Sequence, residues 1–171
     1  MLIVGIDPGL SGAIATLNDN GEIINIIDAP TVVLQKGKKK KNIYDLSILQ
    51  HIAADWGDDE HYVCMEKMQS MPPGFRVQAS FLLGYCQGLF EGLLIAHHAR
   101  YELVLAKTWQ KHFGITGAKG DKKVQSYMVA TKLFPTAKLT GPRGGKKDGR
   151  SDALLIAEWC RRRLMNEESN A

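Results

Sequence analysis

The stretch Leu2–Ala15, LIVGIDPGLSGAIA, carries an apolar run into a carboxylate at Asp7 and turns at once through Pro8-Gly9 and Ser11-Gly12. Apolar residues on both sides of a Pro/Gly-rich turn mark two strands, Leu2 to Asp7 and Ala13 to Leu17. Asp19-Asn20-Gly21 makes a second turn and Glu22 to Ile27 a third strand, so the N-terminus reads as an antiparallel meander. Asp7 is the anomaly in it. A carboxylate at the end of a buried strand is costly to desolvate unless a cation lies beside it.

Downstream, Lys36 and Lys38 to Lys41 read as a basic loop, and Asp45 to Trp56 as a helix with Leu46, Leu49, Ile52 and Ala53 on one face. Tyr62 to Met65 is a buried-type strand that again ends in an acid, Glu66. Pro72-Pro73 breaks the chain before a long helix from about Arg76 to His98. Glu102 to Ala106 is the last strand, and Val124 to Phe134 and Ser151 to Leu164 are helices. The pattern predicts an α/β protein: a mixed five-stranded sheet, meander first and parallel strands after, flanked by helices. One domain over 1–165 with a flexible tail at 166–171 is expected. Within the long helix, Gly84, Gly88 and Gly92 share one face, at a cost of about 1 kcal/mol each against alanine. Such a ridge predicts a backbone packed along it, from the protein's own sheet or from a second copy.

The chain has 171 residues, 44% hydrophobic and 23% charged, with a formal net charge of +4. These values are ordinary for a soluble globular protein and, at this length, predict one domain with a real hydrophobic core. The positive charge is clustered: Lys36 with Lys38, Lys39, Lys40 and Lys41; Lys119 with Lys122 and Lys123; Arg143, Lys146, Lys147 and Arg150. Basic loops of this kind are the electrostatic footprint of a nucleic-acid binder. Cys64, Cys86 and Cys160 are widely spaced among apolar neighbours and read as buried thiols, with no paired spacing for zinc. A chain that is cytoplasmic and not secreted is expected from the N-terminus. No membrane span is expected, because Tyr85, Gln87 and Glu91 interrupt the apolar stretch Phe81 to Ala96. No nucleotide cofactor is expected either, since GPRGGKKDG lacks the spacing and the Ser or Thr of a phosphate-binding loop.

Two strand-end acids, Asp7 and Glu66, are joined by Asp148 and Asp152 at the head of the last helix. Residues four apart share a helix face, so this pair can point one way if the helix begins early enough. Each acid alone could be a cap or an ion-pair partner. Together they form a like-charge set that needs a counter-ion. Hard oxygen donors without a His or Cys cluster suit Mg²⁺ or Mn²⁺.

GIDPGLSGAIA, MEK, AKTWQKHFG and KKDGRSDALLIAEW, in that order and spacing, resemble the RuvC-type Holliday junction resolvases, with the phage and plant-organellar branch the nearest pattern. The resemblance covers Leu2 to about Arg163. It implies an RNase H-like fold, a homodimer, and Mg²⁺-dependent cutting of two opposed strands of a four-way DNA junction, with Mn²⁺ able to substitute, in a bacterial or phage-infected cell. Carried over by position, Asp7, Glu66, Asp148 and Asp152 would bind metal, and Lys122, with Lys123 beside it, would be the lysine near the scissile phosphate. The four-residue step from Asp148 to Asp152 resembles the organellar pattern. Where many members carry an aromatic after the strand-end glutamate, this chain has Lys67, Met68 and Gln69, so Met68, Met71 or Phe75 is left as the apolar wedge. DNA contacts are expected from the three lysine and arginine clusters and from Lys67. The turn behind Asp7 is expected to keep the backbone low so that DNA can approach. Two other readings stay open: an RNase H-fold nuclease acting on other branched DNA, and a junction-binding protein that no longer cuts.

Overall fold

The computed structural model describes residues 1–58, 60–69 and 77–168, except for the side chains of residues 36 and 168. Strands β1 (Leu2–Asp7), β2 (Ala13–Asn18) and β3 (Ile23–Asp28) form the meander. β4 (Thr31–Lys36) and β5 (Lys39–Tyr44) form a separate hairpin. Helix α1 (Leu46–Ala53) follows, capped by Asp45, whose Oδ1 accepts from the Ile48 N–H, and one 3₁₀ turn (Ala54–Gly57) leads to β6 (His61–Lys67). Then come α2 (Val77–Ala96), β7 (Tyr101–Leu105), α3 (Ala106–His112), α4 (Lys119–Leu133) and α5 (Asp148–Glu168). The main sheet has five strands in the order β3-β2-β1-β6-β7, antiparallel through the meander and parallel from β1 to β7. This is the mixed sheet that the apolar runs predict.

Side chains alternate across the sheet, so β1 feeds two cores. Ile3 joins Ala13, Ala15, Leu17, Cys64 and Val104 under α5, which contributes Ala153, Leu154, Ala157 and Cys160. Val4 and Ile6, with Ile14, Val63 and Met65, pack on the other face against α1 and α2 through Leu49, Cys86, Phe90 and Leu94. Helices on both faces are why the central strands are apolar on both sides.

Several expectations change. The lysines at 36–41 form a hairpin rather than a loop, turning at Gly37, whose φ is +61°. Five lysines mask the alternation there, and the register against Thr31 to Lys36 supplies the pairing instead. β7 ends at Leu105, and α3 starts at Ala106, where the sequence reading continues the strand. α4 begins at Lys119, so that lysine cluster is helical. α5 begins at Asp148 and continues through Glu168, past the expected start of a tail at 166.

The glycine ridge does not pack on the protein's own sheet. Among the described residues, a Cβ at Gly84, Gly88 or Gly92 would meet no neighbouring atom within 4 Å. Cys86, Phe90 and Leu94 face the core instead, while Phe81 (75% exposed) and Ile95 (62%) extend the open stripe. With 20 residues, α2 is long and apolar enough to cross a membrane by length and composition, but its buried line belongs to the core beneath the sheet.

The glycines that do pack closely lie elsewhere. A Cβ at Gly5 would sit 2.2 Å from the Ala153 carbonyl oxygen and 2.4 Å from the Ala157 nitrogen. Gly5 therefore sets how near α5 lies to β1. Gly5→Ala should destabilise the fold by about 1–3 kcal/mol through overpacking, read as a lowered denaturation midpoint; an unchanged midpoint would show that α5 can move off the sheet freely.

Candidate active site

Parallel pairing of β1 with β6 aligns Ile6 with Met65, which sets Asp7 and Glu66 side by side at one edge of the sheet. α5 brings the other two acids to that edge. Its first turn holds Asp148, and Asp152 lies one turn on, so the early helix start puts both on one face. The docking is tight because Gly149 has no side chain: a Cβ there would lie 2.5 Å from the Ser11 carbonyl oxygen and 2.6 Å from the Gly12 Cα. At Gly12 a Cβ would lie 2.0 Å from the carbonyl oxygen of Asp7. The small turn behind Asp7 thus makes room for the protein's own helix, and Gly9, Leu10, Ser11 and Gly12 also line the cleft beside Asp7.

Asp7, Glu66, Asp148 and Asp152 line one open cleft of about 970 Å³. Cations share its walls: Lys67 follows Glu66, Lys119 and Lys123 come from α4, and Lys146 and Lys147 from the loop before α5. The Lys123 ammonium donates to Asp148 Oδ2 at 2.6 Å, and this bond raises its pKa. Lys122 lines an adjoining recess with Glu66, Ser126 and Asp152. The structure therefore separates the two lysines: Lys123 touches an acid directly, and Lys122 stands beside it.

Burial and crowding push the acids up. Desolvation is the largest cause for Asp7, whose pKa lies well above the usual carboxylate range, followed by the charges of Asp152 and Glu66. Burial lifts Glu66 to about 7 against the opposing Trp109 N–H. Burial also lifts Asp152 to about 6, against the Ser126 hydroxyl that lowers it. Asp152 Oδ1 is buried and accepts no hydrogen bond among the described residues. Convergent hard oxygens, an orphaned buried acceptor and mutual repulsion together fit a divalent cation of the Mg²⁺ type. A second cluster, Cys64, Glu102 and Cys160, has its ligand atoms within 4.8 Å of one another. It lies in the core under α5, its donors are mainly soft thiols, and Arg163 already pairs with Glu102. It does not match the oxygen set.

The remaining predicted positions divide. Lys67 and Met68 line the cleft. Of the hairpin, Thr31 and Asn42 reach the cleft; Lys41 lines a neighbouring apolar groove with Phe81 and Tyr85, Lys38 lies exposed in the turn, and Lys39 and Lys40 lie exposed along β5. Arg143 is exposed in a loop closed by the Gly141 N–H to Gly145 carbonyl bond and the Thr140–Lys146 bridge. Lys146 sits over the Tyr127 ring at 4.5 Å. Met71 and Phe75 lie outside the described residues.

Three residues of the site escape the sequence reading. Asp28 ends β3 at the cleft, accepts both from Arg150 (2.6 and 3.1 Å) and from Lys147 (3.1 Å), and has a lowered pKa from the Arg150 bond. The signal was present, since Asp28 is a third strand-end acid. Trp109 is fully buried and also donates its Nε1–H to Glu66 Oε2 at 3.0 Å. Ser126 carries no sequence signal.

No protein-family sequence profile matches the chain, and no curated protein matches it by sequence. Solved structures do. The chain is similar to Thermus thermophilus RuvC in complex with a Holliday junction substrate, with a TM-score of 0.55, 10% identity and 96% of each chain covered. It is also similar to another T. thermophilus RuvC structure, with a TM-score of 0.54, 12% identity and 97% of each chain covered. The fold is thus the RNase H-like fold of RuvC.

An acid whose folded pKa exceeds its unfolded value keeps a proton that the unfolded chain releases, so it costs stability as pH rises. For Glu66 and Asp152 that window runs from about pH 4, the unfolded carboxylate range, to about 7 and 6, their folded values. In metal-free buffer the Tm should therefore fall between pH 5 and 8, and Asp7→Asn should raise the Tm at pH 8 by the ~2–4 °C that about 1 kcal/mol produces in a chain of this size. A lower Tm for Asp7→Asn would show that the acids are already compensated without metal.

Proposed function

We propose that the chain is a structure-selective endodeoxyribonuclease that resolves four-way DNA junctions by paired, divalent-metal-dependent phosphodiester hydrolysis. The observation that carries this reading is the convergence of Asp7, Glu66, Asp148 and Asp152 in one cleft whose walls are lined with lysines. The RuvC likeness in fold and the phage- and organellar-type motifs of the sequence support it. The four carboxylates would hold Mg²⁺, with Mn²⁺ able to replace it. When bound, the metal supplies Lewis-acid activation of water and charge neutralisation at the leaving oxygen.

The chain's own groups do the rest. Lys123 and Lys122 present ammonium groups where charge develops on the scissile phosphate. Lys119 and Lys122 stand in the first turn of α4, where cations oppose the helix dipole, so an anionic partner there relieves a standing cost. Lys67, Lys146 and Lys147 hold the strand at the cleft, with Arg143 and Lys38 to Lys41 reaching DNA further out. Each phosphate they neutralise releases counterions and steepens the salt dependence of binding. Met68, held at its backbone N–H by Gln87 Oε1 at 2.8 Å, is the described candidate for the apolar wedge.

Paired cutting needs two sites. The open stripe of Phe81, Gly84, Gly88, Gly92 and Ile95 on α2 carries no charge and gives a second copy a close-packing face. The proposed assembly is a homodimer through this stripe.

The test is an immobile four-way junction beside a matched duplex and a flap, with Mg²⁺ or EDTA. Symmetric paired nicks on the junction alone are expected. Asp7→Asn and Glu66→Gln should each lose at least about a hundredfold in rate, as removal of one transition-state stabiliser does, and Gly88→Arg should give single nicks. Equal cutting of flaps would make it a general branched-DNA nuclease. Tight junction binding without cutting under any metal would make it a binding protein.

A further inference from the structure

We propose that Trp109 is a positioning residue for Glu66, fixing that carboxylate in its metal-binding pose before any cation arrives. The inference rests on the metal-site reading above and adds a residue to it.

The geometry follows from chain connectivity. β6 pairs with β7 so that Glu66 is opposite Val104 and Lys67 opposite Leu105, and α3 begins at the next residue, Ala106. One helical turn into α3, Trp109 folds back over the end of β6. Its indole is fully buried, and its one polar atom, Nε1, donates to Glu66 Oε2 at 3.0 Å. Glu66 Oε1 accepts no hydrogen bond among the described residues, so one oxygen is held and one is uncommitted.

The kind of donor matters. Asp148 and Asp28 are each held by cations, Lys123 for the first and Arg150 and Lys147 for the second. A cation that orients a carboxylate also cancels its charge and competes with an incoming metal. An indole N–H is a donor without charge and cannot accept or release a proton at ordinary pH. It limits the rotamers of Glu66 without placing a positive charge there to compete with the metal. Packing alone would call for an apolar side chain; the indole's N–H finds its single partner in the one acid that β6 brings to the cleft. Outer donors of this type are worth about 10–100-fold in metal affinity.

Trp109→Phe removes the N–H and keeps an aromatic ring in the core. Mg²⁺ titrated calorimetrically into the DNA-free protein should bind about 10–100-fold more weakly to this variant than to the wild type. Equal affinity would overturn the positioning role while leaving the metal site intact. No Mg²⁺ binding by the wild type would remove both. Since a core substitution can impair folding, the wild-type protein gives a second readout through its ¹⁵N-labelled indoles. Mg²⁺ should shift the Trp109 Nε1–H resonance and leave that of Trp159, which packs beside Arg163, in place. A Trp109 signal that stays still while Mg²⁺ binds would equally overturn the proposal.

Discussion

Everything in this structure turns on the repulsion among carboxylates held together at one edge of a sheet. Asp7 and Glu66 are fixed by the parallel register of β1 and β6, Asp148 and Asp152 by the docking of α5. None of the four can swing far, because each hangs from backbone that is packed on both sides or pinned at a helix start. The apolar cores that hold them also dry them, which is why Asp7, Glu66 and Asp152 all resist ionisation. Folding free energy from two hydrophobic layers is thereby stored as a demand for positive charge.

Close backbone approach is how the chain keeps that arrangement. Gly5 lets α5 lie against β1, and Gly12 and Gly149 let the head of α5 rest on the turn behind Asp7. A methyl group at any of these positions would push against backbone atoms, not flexible side chains. The cations then divide between two tasks. Arg150 and Lys147 pair with Asp28 and tie β3 to the first turn of α5 and the loop before it, while Lys119, Lys122 and Lys67, which carry no ion pair among the described residues, face the cleft or its recess.

Much of the fold was legible in the residues. The Pro/Gly turn between two apolar runs gave the meander, and the strand-end acids Asp7 and Glu66 marked the edge where the site forms. The condition placed on Asp148 and Asp152, an early helix start, is met. The lysine hairpin was not legible, because its strands lack the two-residue alternation that a buried face imposes. Nor was the role of the glycines. Gly84, Gly88 and Gly92 recur at helical spacing and face solvent, whereas Gly5 and Gly149 stand singly and lie hard against backbone atoms. Contact distance depends on which element crosses above a residue, and spacing along the chain does not encode it. Trp109 shows the same limit, since burial is readable from its type but the partner of its N–H is not.

The central claim is that the four-carboxylate edge, and not the thiol cluster under α5, is where this protein takes a divalent cation. Crystals grown in Mn²⁺ and measured for anomalous scattering would test it most directly. A peak among Asp7, Glu66, Asp148 and Asp152, lost in Asp7→Asn, is the predicted result. Manganese at Cys64, Glu102 and Cys160 instead, or an empty edge with Lys123 swung in to neutralise it, would contradict the account.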